Sequence, residues 1–165
     1  GEEQVFAVVQ KYTDARFDPA IFAEDLDDQP YPAFDLQHRI GYVPLLTSRG
    51  CPYRCAYCAS HVLQPKRLRR RPEAVAAEID YWHRRFGVRD FVFYDDALLI
   101  DAEAHAIPML EAVCALDADL SFHTPNALHV RGITRQVAEL MRTAGFKTVR
   151  LGVETTDFAS RQMDR

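Results

Sequence analysis

From residue 42 onward, short apolar runs alternate with longer stretches whose apolar residues recur every three or four positions. The short runs are typical of buried strands. The sequence predicts four such strands, at Tyr42 to Thr47, Asp90 to Tyr94, Leu120 to Thr124 and Lys147 to Val153. Because helical stretches separate these strands, the pattern predicts βαβ units, a parallel sheet and right-handed crossovers.

Three helices are predicted between the strands. The first begins at Pro72 and ends before Gly87, because proline suits the first turn of a helix and glycine suits the residue after its end. Asp101 is predicted to cap the second helix, which runs to about Leu116. The third helix covers residues 134–143 and is closed by Gly145.

The first forty residues have no such regular pattern. Residues 1–17 include a short apolar stretch, Val5 to Val9, to which the pattern assigns no type. Residues 18–40 are acidic and contain prolines, which predicts an extended connector. We therefore divide the chain into an N-terminal segment with its linker, residues 1–40, and a strand and helix domain, residues 41–165.

Composition and charge narrow the function classes. With 48% hydrophobic and 27% charged residues, the chain is globular in composition. The formal net charge is -4, from 20 basic and 24 acidic residues, so no overall basic field favours a nucleic-acid partner. The sequence contains neither a membrane-spanning apolar run nor a signal peptide, and we expect a cytoplasmic protein without membrane contact. It begins without Met and ends soon after a strand-like run, as expected of a piece of a longer protein.

Three of the four cysteines lie close together directly after the first predicted strand, at Cys51, Cys55 and Cys58. This clustering differs from the even, dispersed spacing of a secreted disulfide framework, so we expect reduced, metal-bound thiols. Three thiolates at C-x3-C-x2-C spacing can bind three irons of a cubane cluster and leave the fourth iron open. An open iron is a place where chemistry can occur.

Two closed metal sites compete with this interpretation. His61 could complete a zinc site of three cysteines and one histidine, although small zinc modules usually stabilise folds that lack a core. Cys114 could close an electron-transfer cluster, but it lies on the apolar face of a predicted helix, where free cysteine usually packs as a small hydrophobic residue. The open cluster fits the loop best. The alternative function is a non-catalytic zinc or iron-sulfur module with a structural or nucleic-acid-contact role.

A basic run follows the cysteines and contains Lys66, Arg67, Arg69, Arg70 and Arg71. Such runs usually face water, so we interpret it as a solvated loop between the cysteines and the first helix. The alternative interpretation is a contact with phosphate or another anionic substrate beside the metal site.

The cysteine loop resembles the signature of radical S-adenosylmethionine (SAM) enzymes, and the likeness extends over roughly residues 42–156. The resemblance implies that Cys51, Cys55 and Cys58 hold a [4Fe-4S] cluster, and that the amino and carboxylate groups of SAM chelate its fourth iron. It also implies that Tyr57, the residue before the third cysteine, contacts the adenine. The implied fold is a partial TIM-like (β/α) radical SAM barrel with about four parallel strands, preceded by an extended connector.

The same resemblance implies further cofactor contacts after the second strand. Family members often carry Gly-Gly-Glu there, whereas this chain has Tyr94, Asp95 and Asp96. The backbone carbonyls of Tyr94 and Asp95, or the carboxylate of Asp95 or Asp96, would then meet the amino group of SAM. The missing glycines are a departure from the family pattern.

Polar residues near the next two strand ends complete the predicted site. Glu154 lies in a segment similar to the family's Gly-x-Glu, and a carboxylate in an apolar run is costly to bury without a partner. His123 and Asn126 follow the third predicted strand and are expected at the same barrel face. Hydrogen bonds that fix the loop are the alternative role for these two residues.

The resemblance implies reductive cleavage of SAM to a 5′-deoxyadenosyl radical, for which the protein supplies orientation and a dry site. The implied partners are an unidentified substrate and an electron donor such as flavodoxin or ferredoxin. The connector resembles the segment before the barrel in cobalamin-associated members, but the Asp-x-His-x-x-Gly signature is absent, so cobalamin would bind through a domain outside this chain. The last strand would leave an open edge, and we expect self-association along it or its pairing with the N-terminal segment.

Overall fold

The computed structural model describes residues 2–17 and 25–153. Its contacts divide the chain into two units, Gly1–Tyr31 and Pro32–Arg165. In the smaller unit, α1 (Glu2–Tyr12) contains the apolar stretch to which the sequence pattern assigns no type. This stretch is therefore helical.

The connector is extended only in part. Two short 3-10 helices interrupt it, Leu26–Asp28 and Phe34–Leu36. Asp25 caps the first of them, because its carboxylate accepts a hydrogen bond from the backbone N–H of Asp27 at 2.9 Å. Residues 18–24 of the predicted connector lie outside the described residues.

The larger unit alternates strands and helices. In chain order it contains β1 (Val43–Leu45), β2 (Ser48–Arg49), α2 (Ser60–Leu63), β3 (Leu68–Arg69), α3 (Pro72–Phe86), β4 (Asp90–Phe93), α4 (Ala106–Cys114), β5 (Ser121–His129), α5 (Arg135–Ala144) and β6 (Phe146–Gly152). Strands β1, β4, β5 and β6 form one sheet in that order, and all of its pairs are parallel. This confirms the predicted α/β fold with four parallel strands. β2 and β3 form a separate antiparallel pair.

The core lies between the sheet and three helices. Phe91, Phe93 and Phe122 point from the sheet into this core and are at most 1% exposed. They meet Trp82 of α3 and apolar residues of α4 and α5, and α4 packs against both of the other helices. Because large apolar side chains from these elements already form a continuous core, we expect the sheet to fold without help from the segment between β2 and β3.

The predicted ends of two helices are confirmed. Gly87 follows α3 with φ 68° and Gly145 follows α5 with φ 102°, both left-handed conformations that favour glycine. At the start of α5, the hydroxyl of Thr134 accepts a hydrogen bond from the backbone N–H of Val137 at 3.2 Å. These ends were predictable because each depends on residues close in sequence.

The second predicted helix starts later than the sequence indicates. α4 begins at Ala106, after a 3-10 helix over Ala102–Ala104. Asp101 makes no cap hydrogen bond with its side chain, so the predicted cap was wrong. Its carboxylate instead pairs with Arg67 at 3.0 Å and with Arg69, and these guanidinium groups lower the pKa of Asp101.

β5 is longer than predicted and continues to His129. Pro125 lies inside it, where the pairing with β6 shifts register. Proline cannot donate to a ladder, and an irregularity of this kind accommodates it. Both His123 and Asn126 lie within β5, so the prediction that they follow the third strand was wrong.

β6 forms one edge of the sheet and, among the described strands, pairs only with β5. The described part of residues 1–40 adds no strand to this edge. Self-association along β6 therefore stays a prediction. None of the described helices combines the length and the apolar character that a membrane span requires.

Candidate functional site

The cysteine loop, residues 50–67, connects β2 to β3. Because β2 and β3 pair antiparallel, the two ends of the loop lie side by side. The loop follows the end of β1, and Tyr53 within it contacts His129 at the end of β5, with ring centroids 4.7 Å apart. The loop therefore lies where the parallel strands end, which is where α/β folds place their chemistry.

A buried carboxylate holds the base of this loop. Asp95, two residues after β4, is 3% exposed. It accepts hydrogen bonds from the backbone N–H of Thr47 at 3.1 Å, the Thr47 hydroxyl at 2.7 Å and the Ser48 hydroxyl at 2.7 Å. Burial raises the pKa of Asp95, and the hydrogen bonds from Ser48 and Thr47 oppose that rise. The carboxylate of Asp95, which was predicted to contact SAM, thus binds Thr47 and Ser48 instead.

The three loop cysteines are partly buried. Burial raises the pKa of the Cys51 thiol, and a hydrogen bond from the backbone of Tyr53 opposes the rise. The charges of Cys55, Asp96 and Cys58 raise it further. These interactions place the three thiols and Asp96 in one neighbourhood.

Ser60, the first residue of α2, lies against the sulfur of Cys58. Its backbone N–H donates to Cys58 Sγ at 3.4 Å, and the thiol donates to the Ser60 hydroxyl at 3.3 Å. Hydrogen bonds to cysteine sulfur tune the reduction potential of iron-sulfur clusters. The sequence reasoning missed this residue, although its position two residues after a candidate ligand was a usable signal.

The positions of the candidate ligands do not support the zinc site that was the alternative. In the described part of the chain, no group of three His, Cys, Asp or Glu side chains is placed to hold one. His61, the fourth ligand that a zinc site would need, has a buried Nδ1 without a hydrogen-bond partner among the described residues. A cubane cluster binds each thiolate to a different iron, so its ligands lie further apart than those of one ion.

Cys114 is not part of the loop neighbourhood. It ends α4 and packs against the hydrophobic core. Burial raises the pKa of its thiol, and the charge of Glu111 adds to the rise. A thiol in this setting behaves as a small hydrophobic residue, which does not favour a role as the closing ligand of a cluster.

Asn126 brings β5 to the end of β4. Its side-chain amide donates to the carbonyl oxygens of Tyr94 at 2.8 Å and Asp95 at 3.3 Å. Each carbonyl keeps a second lone pair for a ligand. Asp96 is exposed beside the cysteine loop, and Tyr57 is 58% exposed on it. The structure therefore brings most of the predicted site residues to one edge of the sheet.

His123 is not at this edge. It pairs with Val92 inside the sheet, its Nδ1 lies 2.8 Å from the Thr148 hydroxyl, and its Nε2 lies 3.5 Å from a carboxylate oxygen of Asp90 at the start of β4. These contacts agree with the alternative interpretation of His123, in which it forms structural hydrogen bonds. Glu154 lies outside the described residues.

Three residues at this edge were missed by the sequence reasoning. His129 was missed because β5 continues beyond its predicted end. Thr47 and Ser48 were missed because their partner, Asp95, is distant in sequence. The only local indication of their role was that Thr47 and Ser48 are two adjacent hydroxyl residues directly after an apolar run.

The basic run after the loop is paired with acidic residues. Arg67 and Arg69 bind Asp101, and Arg70 binds the buried Glu78. The solvated-loop interpretation was therefore wrong for these three arginines. The anionic-substrate interpretation gains no support, because the protein supplies the carboxylates that the guanidinium groups bind.

Gly50 holds the start of the cysteine loop in a conformation that other residues avoid. Its φ is 80°, and a Cβ there would lie 2.6 Å from the carbonyl oxygen of Lys66 on the returning side of the loop. Gly50→Ala is expected to lower the free energy of unfolding by about 2 kcal/mol or more. Urea unfolding measures this loss. Gly41→Ala is the control, because a Cβ at Gly41 meets nothing within 4 Å, and equal stability of the two variants would contradict the expectation.

Comparison with known proteins identifies the family. The model of the Radical SAM superfamily matches residues 45–163. An uncharacterized methyltransferase of Pyrococcus horikoshii is 28% identical over 145 residues, which cover 83% of this chain and 31% of that protein. The hopanoid C-2 methylase of Rhodopseudomonas palustris is 28% identical over 151 residues, which cover 88% of this chain and 27% of that protein. The chain thus spans less than a third of the length of these relatives.

Solved structures show the same fold. The radical SAM methyltransferase TsrM from Kitasatospora setae, solved with tryptophan substrate and a SAM analogue, has a TM-score of 0.64 at 21% identity. The match covers 73% of this chain and 23% of that one, and it supports the partial TIM-like barrel. The family match covers most of the chain and includes the cysteine loop, so the chain belongs to the radical SAM superfamily.

Proposed function

We propose that this chain is the part of a radical SAM enzyme that binds a [4Fe-4S] cluster and SAM. The observation that carries the proposal is the C-x3-C-x2-C loop, held at the ends of the parallel strands by the pairing of β2 with β3. The donor set fits the group, because three neighbouring thiols match a cluster with one open iron. The chemistry that a bound cluster supplies is one-electron reduction of SAM, which gives methionine and a 5′-deoxyadenosyl radical.

Cys51, Cys55 and Cys58 are the proposed cluster ligands. The raised pKa of the Cys51 thiol means that iron must displace a proton there, which cluster assembly does for any thiol ligand. Near Cys58, the N–H of Ser60 stays available to donate to the sulfur after the thiol proton is lost. The protein therefore offers a thiolate that is already hydrogen-bonded.

For SAM, we propose Asp96 in preference to Asp95 as the carboxylate that meets the amino group. Asp95 is engaged by Thr47 and Ser48, whereas Asp96 is exposed beside the cysteine loop. The carbonyls of Tyr94 and Asp95 keep one lone pair each for the same group, and the exposed ring of Tyr57 is proposed to contact the adenine. We also propose that Glu154 and Asn126 contact the polar end of SAM. Glu154 is proposed from the sequence. Asn126 is proposed because it lies beside Tyr94 at the end of β4.

We propose methyl transfer as the reaction that this barrel serves. Both relatives described above are methylating enzymes by name, and one TsrM structure contains cobalamin and a [4Fe-4S] cluster. Cobalamin would bind through a domain outside this chain, and a flavodoxin or ferredoxin would supply electrons. With the cobalamin-loaded parent protein, formation of S-adenosylhomocysteine would support this reaction class, and 5′-deoxyadenosine as the sole product from SAM would contradict it.

Anaerobic reconstitution of the chain with iron and sulfide tests the proposed function. We expect a brown protein with about four irons per chain, whose electron paramagnetic resonance (EPR) spectrum in the reduced state changes when SAM is added. The zinc module predicts a different result. A colourless protein that binds one zinc ion, and loses it in the His61→Ala variant, would contradict the proposal.

A further inference from the structure

Asp95 connects two parts of the site that are distant in sequence. Its carboxylate binds Thr47 and Ser48, which lie between β1 and the cysteine loop, through one backbone N–H and two hydroxyl groups. All three residues are at most 3% exposed. A carboxylate buried this deeply needs such donors, so the arrangement fixes the position of the chain just before Gly50 and Cys51.

The same contacts hold the returning end of the loop. The carbonyl oxygen of Thr47 accepts a hydrogen bond from the backbone N–H of Arg70 at 2.9 Å. Ser48 pairs with Arg69 in the antiparallel ladder. Asp95 therefore acts on both ends of the cysteine loop through two residues.

A second contact joins the loop to the segment between β4 and α4. His105 is buried, and its Nε2 lies 3.2 Å from the carbonyl oxygen of Arg70. Burial lowers the pKa of His105. Because a carbonyl oxygen only accepts, the Nε2–H of the ring donates this hydrogen bond. The charge of Asp95 opposes that lowering, which places the two side chains near each other.

On its other side, Asp95 belongs to the segment that faces the thiols. Its backbone carbonyl accepts from Asn126 of β5, and the next residue, Asp96, is close enough to Cys51 to raise the pKa of that thiol. The side chain of Asp95 thus holds the cysteine loop while its backbone holds the end of β4. Asp95 therefore contributes to the spacing between Cys51 and Asp96, together with the pairing of β1 and β4.

We propose that Asp95 is a positioning residue that holds the cysteine loop in register with the end of β4, so that one SAM molecule can reach both. This inference rests on the proposed function of the loop. The carboxylate of Asp95 is buried and bound to Thr47 and Ser48, so this side chain acts on the site through Thr47, Ser48 and Asp96. Asparagine cannot replace it, because its amide would place two N–H donors and a single oxygen against donors from Thr47 and Ser48.

The test compares reconstituted wild-type protein with Asp95→Asn. We expect the variant to take up iron, because all three cysteines remain, but to bind SAM about tenfold or more weakly. The affinity is measured by titrating SAM into the reduced protein and following the change in the EPR spectrum. Iron analysis of the same samples shows how much cluster each protein holds.

Val137→Ala is the matched control for a general loss of stability. Val137 is buried in α5 and belongs to the core that the sheet forms with its helices. We expect this variant to melt at a lower temperature and to keep wild-type affinity for SAM. If Val137→Ala weakens SAM binding as much as Asp95→Asn at the same loss of melting temperature, the positioning role is overturned.

A second variant covers the outcome in which Asp95→Asn does not fold. Thr47→Val combined with Ser48→Ala removes both hydroxyl donors and leaves the backbone donors of the two residues in place. Weaker SAM binding with normal iron content would support the proposal, and wild-type affinity in this double variant would overturn it. If the wild-type chain itself takes up no cluster, the proposed function fails as well. If the wild-type chain takes up the cluster and the variants bind SAM with wild-type affinity, the positioning role of Asp95 fails and the proposed function stands.

Discussion

Replacing Cys55 with alanine is expected to remove the iron-sulfur cluster and to leave the parallel sheet folded. Two thiolates hold a cubane poorly, so iron should fall from about four per chain to background after anaerobic reconstitution. The core between the sheet and helices α3, α4 and α5 does not include the loop cysteines. The melting temperature of the metal-free protein should therefore change little. Iron analysis and thermal unfolding followed by circular dichroism measure the two effects.

Cys114→Ala is the control for the loss of a thiol as such. This residue packs against the core, so its variant should keep the full iron content and lose some stability. The zinc module predicts the opposite pattern for Cys55→Ala, since removing a ligand of a structural zinc ion costs several kcal/mol of folding free energy. A Cys55→Ala protein that keeps its iron, or that unfolds, would contradict the proposed role of the loop.

The regular part of the fold was predictable because its signals are local. Short apolar runs indicated where the four parallel strands lie, and the ends of α3 and α5 depend on Gly87 and Gly145, each beside the helix that it ends. Asp101 shows the limit of this approach. In sequence it has the form of a helix cap, but Arg67 and Arg69, more than thirty residues away, take its carboxylate.

The site was predictable to the extent that its residues are contiguous. The three thiols and Tyr57 stand together in the sequence, so their grouping was visible without a structure. Asp95 and Asp96 were seen as a pair of acidic residues, yet nothing local says that one is buried and the other exposed. The carboxylate of Asp95 is bound by the hydroxyls of Thr47 and Ser48, which reach it only after β1 and β4 have paired.

The end of β5 illustrates a third kind of miss. Pro125 interrupts the apolar pattern and indicates the end of a strand, because proline cannot donate to a ladder. In the structure the pairing with β6 shifts register around this residue and then resumes, which carries the strand to His129. Asn126 therefore reaches Tyr94 from within a strand. Tolerance of one irregular residue depends on the neighbouring strand, which sequence patterns do not show.

Glu78→Gln is expected to cost about 3 kcal/mol of unfolding free energy, because it breaks a buried ion pair. Glu78 and Arg70 form this pair, with side-chain exposures of 4% and 10%, and the Glu78 carboxylate also accepts from Nε1 of Trp82 at 3.4 Å. Glutamine keeps the size of the side chain but not its charge, so the buried guanidinium of Arg70 loses the negative charge of Glu78. Its contacts with the carbonyls of Leu46 and Ala74 offset part of the loss. Urea unfolding measures the change.

Asp80→Asn is the matched control on the same helix. Asp80 pairs with Arg84 one turn away at 2.6 Å, but Arg84 is exposed and Asp80 only partly buried, so removal of this pair should change stability far less. High salt should weaken the exposed pair and leave the effect of Glu78→Gln nearly unchanged, because buried pairs are screened less. Since the backbone N–H of Arg70 also binds Thr47, Glu78→Gln should loosen the returning end of the cysteine loop as well as the core. If Glu78→Gln and Asp80→Asn lower the free energy of unfolding equally, burial does not determine how much the Arg70 and Glu78 pair contributes to stability.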